Sequence, residues 1–150
     1  MTKPTPATAT REITALSALE LSRAIQDRKL SCTEVMTAFL DQIEALNPAV
    51  NAIVSLRPRA VLMIEAATAD ADLAAGRSRG WLHGIPQAPK DLTATAGIAT
   101  TFGYRGLHDS QPHADSILVE RLRGAGAPRC IALPAAPAGC RFDAPSACPR

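Results

Sequence analysis

The segment Leu82-His83-Gly84-Ile85-Pro86-Gln87-Ala88-Pro89-Lys90-Asp91-Leu92 sets one lysine among apolar and proline neighbours. No other basic side chain lies between Arg79 and Arg105. Burying an ammonium is costly, because desolvation disfavours its charged form. A lysine held in a dry cradle gives up its proton and serves as a general base. Lys90 is therefore the candidate catalytic residue, expected within apolar walls made by Ile85, Pro86, Ala88, Pro89 and Leu92. The plain alternative is an exposed loop in which Lys90 and Asp91 form an ordinary surface ion pair. Downstream, residues Thr93 to Tyr104 are small, hydroxyl-rich and broken by Gly97 and Gly103. Such a run permits close backbone approach and supplies hydrogen-bonding groups, with Thr93 and Thr95 as candidate supporting hydroxyls. His83, His108 and His113 lie on loops or loop edges, whereas a metal site needs three or four converging ligands. His83 is expected to hydrogen-bond within its own turn.

The elements that must position Lys90 are mostly helical. Ser17-Ala18-Leu19-Glu20 and Ser31-Cys32-Thr33-Glu34 are both capping boxes, each with a serine N-cap and a glutamate three residues on. The first opens a helix to about Arg28. The second opens a longer one to about Leu46, with Val35, Met36, Phe39, Leu40, Ile43 and Leu46 on one stripe, and Asn47-Pro48 is expected to end it. Asn51 to Leu56 reads as a short strand. Pro58 starts a third helix, which runs to about Ala75 and stops at Gly76. Trp81 is expected to lie over the core. Ile85 to Leu92 is an extended segment that Pro86 and Pro89 confine to an edge, a bulge or an irregular path, and Gly97 to Thr101 reads as another extended piece. Ala114 to Arg123 is an amphipathic helix, with Ile117, Leu118 and Leu122 expected inward.

Composition narrows the function classes. Aromatic residues make up only 3% of the 150, so the core must come from Leu, Ile, Val and Ala. Before Pro128 the chain carries 13 basic and 13 acidic side chains, and the net charge of +2 comes from the residues that follow. There is no basic stripe interleaved with aromatics, so no nucleic-acid partner is expected. No apolar leader and no run of about 20 apolar residues is present, which reads as a cytoplasmic product without a membrane partner. The four cysteines form no CxxC pair, and Cys32 reads as a small buried residue or reduced thiol.

Several further pieces fall in a distinctive order. They are Leu16-Ser17-Ala18-Leu19-Glu20-Leu21, Leu30-Ser31-Cys32-Thr33-Glu34-Val35, and Ile43-Glu44-Ala45-Leu46-Asn47-Pro48-Ala49-Val50-Asn51-Ala52. The run from His83 to Gly103 follows, then Ala114-Asp115-Ser116 and Val119-Glu120-Arg121-Leu122-Arg123-Gly124-Ala125-Gly126-Ala127. Together they resemble the amidase signature family, which includes the A subunit of the tRNA-dependent glutamine amidotransferase. The resemblance implies an α/β fold, with helices packed around a mixed β-sheet, of which this chain holds only the first elements. It implies hydrolysis or transfer of carboxylic amides by a serine–cis-serine–lysine arrangement, with Lys90 as the lysine, a small-molecule amide as substrate, and no metal or cofactor. In that chemistry Lys90 accepts a proton through a bridging serine, which activates the nucleophilic serine.

The two family serines belong to a glycine- and serine-rich segment that this sequence lacks. Ser17, Ser22, Ser31, Ser55 and Ser78 match no catalytic position, and Ser110, Ser116 and Ser146 lack the glycine-rich context. From Pro128 the composition changes to proline, alanine, arginine and cysteine, with no lysine or glutamate. The expected organisation is an unordered N-terminus over residues 1–13, an N-terminal part of an amidase domain over 14–127, and an unrelated, unordered tail over 128–150. Loss of the reading frame near Ala127 would produce such a tail. The chain is thus expected to carry the base without the nucleophile and to be inactive alone. Two other readings stand beside this one. One is a non-catalytic interaction module that associates with a partner or a second copy through exposed apolar helix faces. The other is a fragment of an amidotransferase subunit.

Overall fold

The computed structural model describes residues 6–128 and 131–132. Both capping boxes form as expected. Ser17 Oγ accepts from the Glu20 N–H at 3.3 Å while the Glu20 carboxylate accepts from the Ser17 N–H at 2.8 Å, opening α2 (Ala18–Gln26); α1 (Pro6–Thr14) precedes it. Ser31 and Glu34 make the same pair at 3.1 and 2.8 Å and open α3 (Cys32–Val50). The Asp70 carboxylate adds a second cap from a distant helix. It accepts from the Cys32 N–H at 2.6 Å and the Thr33 N–H at 3.1 Å, so most of the first-turn donors of α3 are satisfied.

Asp70 lies on α4 (Arg59–Ala74), for which Pro58 is the N-cap. Leu62, Ala66 and Ala69 of α4 are buried at spacings of four and three, which places them on one face. The two alanines let α4 lie close against α3, where Cys32, Val35, Met36 and Leu40 complete the contact. Leu21 and Ile25 of α2 and Leu82, Ile85 and Ala127 of later segments close this core. Each large aliphatic side chain taken from water contributes about 1.5–3 kcal/mol. Strand β1 (Ser55–Leu56) pairs antiparallel with β2 (Ile131–Ala132), and α5 (Ile117–Gly124) follows the lysine segment. No described helix is long and apolar enough to cross a membrane.

The structure departs from the sequence expectations at several points. Residues 6–13, expected to be unordered, belong to α1, which packs against α3; residues 1–5 lie outside the described residues. Helix α3 does not stop at Asn47-Pro48. It runs one turn further, to Val50, where Asn51 adopts a left-handed φ of 47° and its N–H returns to the Asn47 carbonyl at 2.7 Å. Asn47 then clamps the exit, accepting from the Ile53 N–H at 2.7 Å and donating to the Ile53 carbonyl at 3.0 Å. The stop is therefore an asparagine turn, and Pro48 only removes one donor from the final turn. The strand read over Asn51–Leu56 shrinks to two residues, and no described strand is parallel, so the mixed sheet is not present among the described residues. Trp81 is 61% exposed, so it does not lie over the core. In α5, Ile117 and Leu118 face solvent, while Val119 is buried and Leu122 half-buried; the inward row is set by the i, i+3 pair. Of the expected tail, only Pro128, Ile131 and Ala132 are described, and the last two form β2.

Candidate functional site

The lysine segment is fixed at its entry by close backbone contact. Leu82 N–H donates to the Ala125 carbonyl at 2.9 Å and Gly84 N–H to the Gly126 carbonyl at 3.1 Å. Gly84 has a φ of 73° and lies directly on the Cys32 side chain, where a Cβ would collide with it. His83 is buried, as its place in the turn requires. Its Nδ1 accepts from the Arg79 N–H at 3.0 Å, which leaves Nε2 to donate to the Ala69 carbonyl at 2.9 Å. Both ring nitrogens are thus used, and Nε2 ties the segment to α4. Cys32, buried and free, has its thiol pushed up to about 12 from an ordinary 9.0, first by burial and then by the Asp70 carboxylate beside it. A thiol in that state is inert as a nucleophile.

From Ile85 the chain takes an irregular extended path, with isolated bridge positions at Gln87 and Lys90. Prolines at 86 and 89 prevent a continuous ladder, in line with the sequence reading. The Lys90 carbonyl then accepts from the Thr93 N–H at 2.8 Å, closing a turn. Asp91 points inward and is 1% exposed. Its carboxylate accepts from the Thr101 N–H at 2.7 Å, from the Thr101 hydroxyl, and from the Gly103 N–H at 3.5 Å. Its carbonyl accepts from the Phe102 N–H at 3.2 Å. Phe102 and Gly103 both have positive φ, 55° and 75°, so their N–H groups can converge on one aspartate. Further along, Ala96 N–H donates to Asp115 at 2.7 Å, Ser116 N–H to the Ala94 carbonyl at 2.8 Å, and Arg123 pairs with Asp115 at 2.6 Å. The small-residue loop is thereby stitched to the start of α5. Thr95 is buried and its hydroxyl bonds back to the Thr93 carbonyl at 3.2 Å.

Lys90 is exposed, and its ammonium has no hydrogen-bond or ion-pair partner among the described residues. Its exposure fits the loop reading, but neither the dry cradle nor the surface ion pair forms. The dry cradle is absent: Pro86, Ala88 and Pro89 are half-buried, Leu92 is 49% exposed, and only Ile85 is in the core. The surface ion pair is absent too, because the Asp91 carboxylate is engaged on the inner side. Lys90 and Asp91 open the same turn, Asp91 buried and Lys90 exposed. The cavity of about 260 Å³ lined by Glu65, Thr68, Arg79, Arg123 and Pro128, among others, does not include Lys90. Its charged residues are already paired, Glu65 with Arg57, Arg79 with Asp72 and Arg123 with Asp115.

The described serines hold structure. Ser17, Ser31 and Ser116 are N-caps, Ser22 donates to the Trp81 carbonyl at 2.6 Å, and Ser78 accepts from Gln26 at 2.9 Å. None is hydrogen-bonded to Lys90 among the described residues. The Asp91 carboxylate holds the neighbouring Thr101–Gly103 loop. The sequence did not single out Asp70, which shares α4 with Glu65 and Asp72 and differs from them only in its distant partner.

Residues 34–130 match the family model described as Amidase. An acylamidase of Rhodococcus erythropolis is 39% identical over 111 residues, covering 74% of this chain and 23% of that protein. The A subunit of the glutamyl-tRNA(Gln) amidotransferase of Azoarcus sp. is 44% identical over 111 residues, covering 74% of this chain and 22% of that protein. Among solved structures, the native peptide amidase of Stenotrophomonas maltophilia superposes with a TM-score of 0.70 at 35% identity, over 80% of this chain and 24% of that one. The chain spans about a quarter of the length of the relatives it matches. With the family match reaching from α3 through the lysine turn and α5, the chain belongs to the amidase signature family.

Proposed function

We propose that this chain is the lysine-bearing portion of an amide hydrolase that cleaves carboxylic amide C–N bonds by a serine–cis-serine–lysine mechanism. Lys90 acts as the base: it takes a proton through the bridging serine, so that the second serine attacks the amide carbonyl. The leaving nitrogen departs as the amine after the proton is returned. The substrate is a small-molecule amide. The single observation that supports this reading is the place of Lys90, on a turn anchored by its neighbour's buried carboxylate, inside the stretch that matches the family. No described serine is hydrogen-bonded to Lys90, so the relay needs a serine-bearing segment beside it, and the chain alone does not hydrolyse amides. Loss of the reading frame near Ala127 accounts for the composition that follows; DNA beyond codon 127 encoding no glycine- and serine-rich segment in any frame would remove that part of the reading.

The test is a graft. Residues 34–130 replace the matching stretch of the Rhodococcus erythropolis acylamidase, and turnover of an aryl amide is measured with and without Lys90→Ala. Activity that vanishes with Lys90→Ala supports the reading. A folded, active graft indifferent to Lys90→Ala sinks it, as does amide turnover by the unaltered chain. A second reading, association through apolar faces as a non-catalytic module or amidotransferase subunit fragment, is favoured by Ile64, Ile117 and Leu118, which are 67%, 74% and 57% exposed. Size-exclusion chromatography separates the two: a monodisperse oligomer favours the module and a monomer counts against it.

A further inference from the structure

We propose that Asp91 is a positioning residue for Lys90, acting through a clamp on residues Thr101–Gly103. This inference rests on Lys90 being the base, but its test does not read hydrolysis, so the two fail separately.

A base on a surface turn needs its backbone fixed before anything covers it. The Lys90 ammonium has no partner among the described residues to do this, and the prolines around it deny it a regular ladder. The strong local anchor is the next residue. Asp91 is 1% exposed, and its carboxylate gathers the Thr101 N–H, the Thr101 hydroxyl and the Gly103 N–H, while its carbonyl takes the Phe102 N–H. Four donors from three consecutive residues thus converge on one aspartate. The cost is a bulky residue, Phe102, held at a φ of 55°, a conformation that side chains of this size rarely adopt without being forced. A carboxylate that only filled space would not require it. With Asp91 held inward, the backbone of the turn that opens at Lys90 is fixed, and the Lys90 side chain stands exposed on it. The same clamp also holds Phe102, 55% exposed, on the turn joined to the lysine's own.

The experiment is backbone relaxation by NMR on the full chain, comparing Asp91→Asn, Thr101→Val and Thr101→Ser with the parent. Asp91→Asn puts amide hydrogens where donors converge. Thr101→Val keeps the carboxylate but removes one donor to it and the hydroxyl oxygen that accepts from the Gly103 N–H at 3.1 Å, and Thr101→Ser restores both. The parent is expected to show Lys90 with a rigid order parameter of ~0.85, falling below ~0.6 in Asp91→Asn and partway in Thr101→Val. Thr101→Ser is expected to return it to the parent value. Methyl signals of Ile25 and Leu62 report whether the core is intact. If Asp91→Asn does not fold, the Thr101 pair decides. Lys90 keeping its parent order while Thr101 and Gly103 loosen, or Thr101→Ser behaving like Thr101→Val, overturns the proposal.

Discussion

Replacing Gly84 by alanine tests how the lysine segment is seated. Two penalties add at this position. The first is conformational: φ is 73°, and an L-residue there costs roughly 1–2 kcal/mol. The second is steric: the new Cβ meets Cys32 Sγ and lies 2.7 Å from Cys32 Cβ, well inside the ~3.5 Å of ordinary carbon contact. Cys32 cannot easily retreat, because it is fully buried and its N–H is held by Asp70 at 2.6 Å. Overpacking of this kind costs about 1–3 kcal/mol, giving a total of roughly 2–5 kcal/mol. Gly97→Ala provides the control, since φ is 76° and nothing lies within 4 Å of its Cβ. It should lose only the conformational part, roughly 1–2 kcal/mol. In urea, with an m-value of ~1–3 kcal/mol/M, the midpoint of Gly84→Ala should fall below that of Gly97→Ala by about 1 M. Cys32→Ala in the Gly84→Ala background removes the nearest clashing atom and should restore part of the difference, measured as a double-mutant cycle. Equal midpoints for the two glycine variants would refute the close seating of Gly84 on α3.

Other consequences follow from the same contacts. With its thiol at about 12, Cys32 should be alkylated in the native state at pH 8 about a thousandfold more slowly than an ordinary thiol, as judged by mass spectrometry of the labelled chain. Because folding raises this thiol above its ordinary 9.0, its contribution to stability is complete below about pH 9 and is lost as pH rises toward about 12; the urea midpoint of the parent should fall over that window more steeply than that of Cys32→Ala. Asp70→Ala frees two first-turn donors of α3 and should cost about 1–2 kcal/mol, with Ser31→Ala nearer 1 kcal/mol; no change in thermal midpoint for Asp70→Ala would mean that water replaces the carboxylate without loss.

What the sequence made legible was local. Both capping boxes, the α4 stop at Gly76 and the buried Cys32 depend on residues a few positions apart, and all appear in the structure. The misses depend on distant partners. Helix α1 is Thr- and Ala-rich and carries little signal of its own, but it lies against α3. Asp70 caps a helix whose first residue is 38 positions earlier. In α5 the strongest apolar pair, Ile117 and Leu118, sits in the first turn and faces solvent, while Val119 takes the core. At the candidate site the residue type at position 90 was readable, but its surroundings were not, because burial is set by whatever packs on it from elsewhere.

A base requires a fixed position and dry surroundings, and the two are separable here. Position is encoded in the chain: Asp91 is buried and bound by donors ten to twelve residues away, and Lys90, one residue earlier, is turned out with no partner among the described residues. Desolvation is not encoded in the described residues. Adjacent residues should therefore respond unequally to truncation. Asp91→Ala leaves the two Thr101 donors without their acceptor in a half-buried turn, while the Gly103 N–H keeps the Thr101 hydroxyl oxygen at 3.1 Å, a loss of about 1–3 kcal/mol for each Thr101 donor that water does not reach. Lys90→Ala removes an exposed side chain and should stay within about 0.5 kcal/mol of the parent. Paired thermal melts decide the matter: if Lys90→Ala destabilises as much as Asp91→Ala, the lysine is part of the scaffold, and the separation of positioning from desolvation fails.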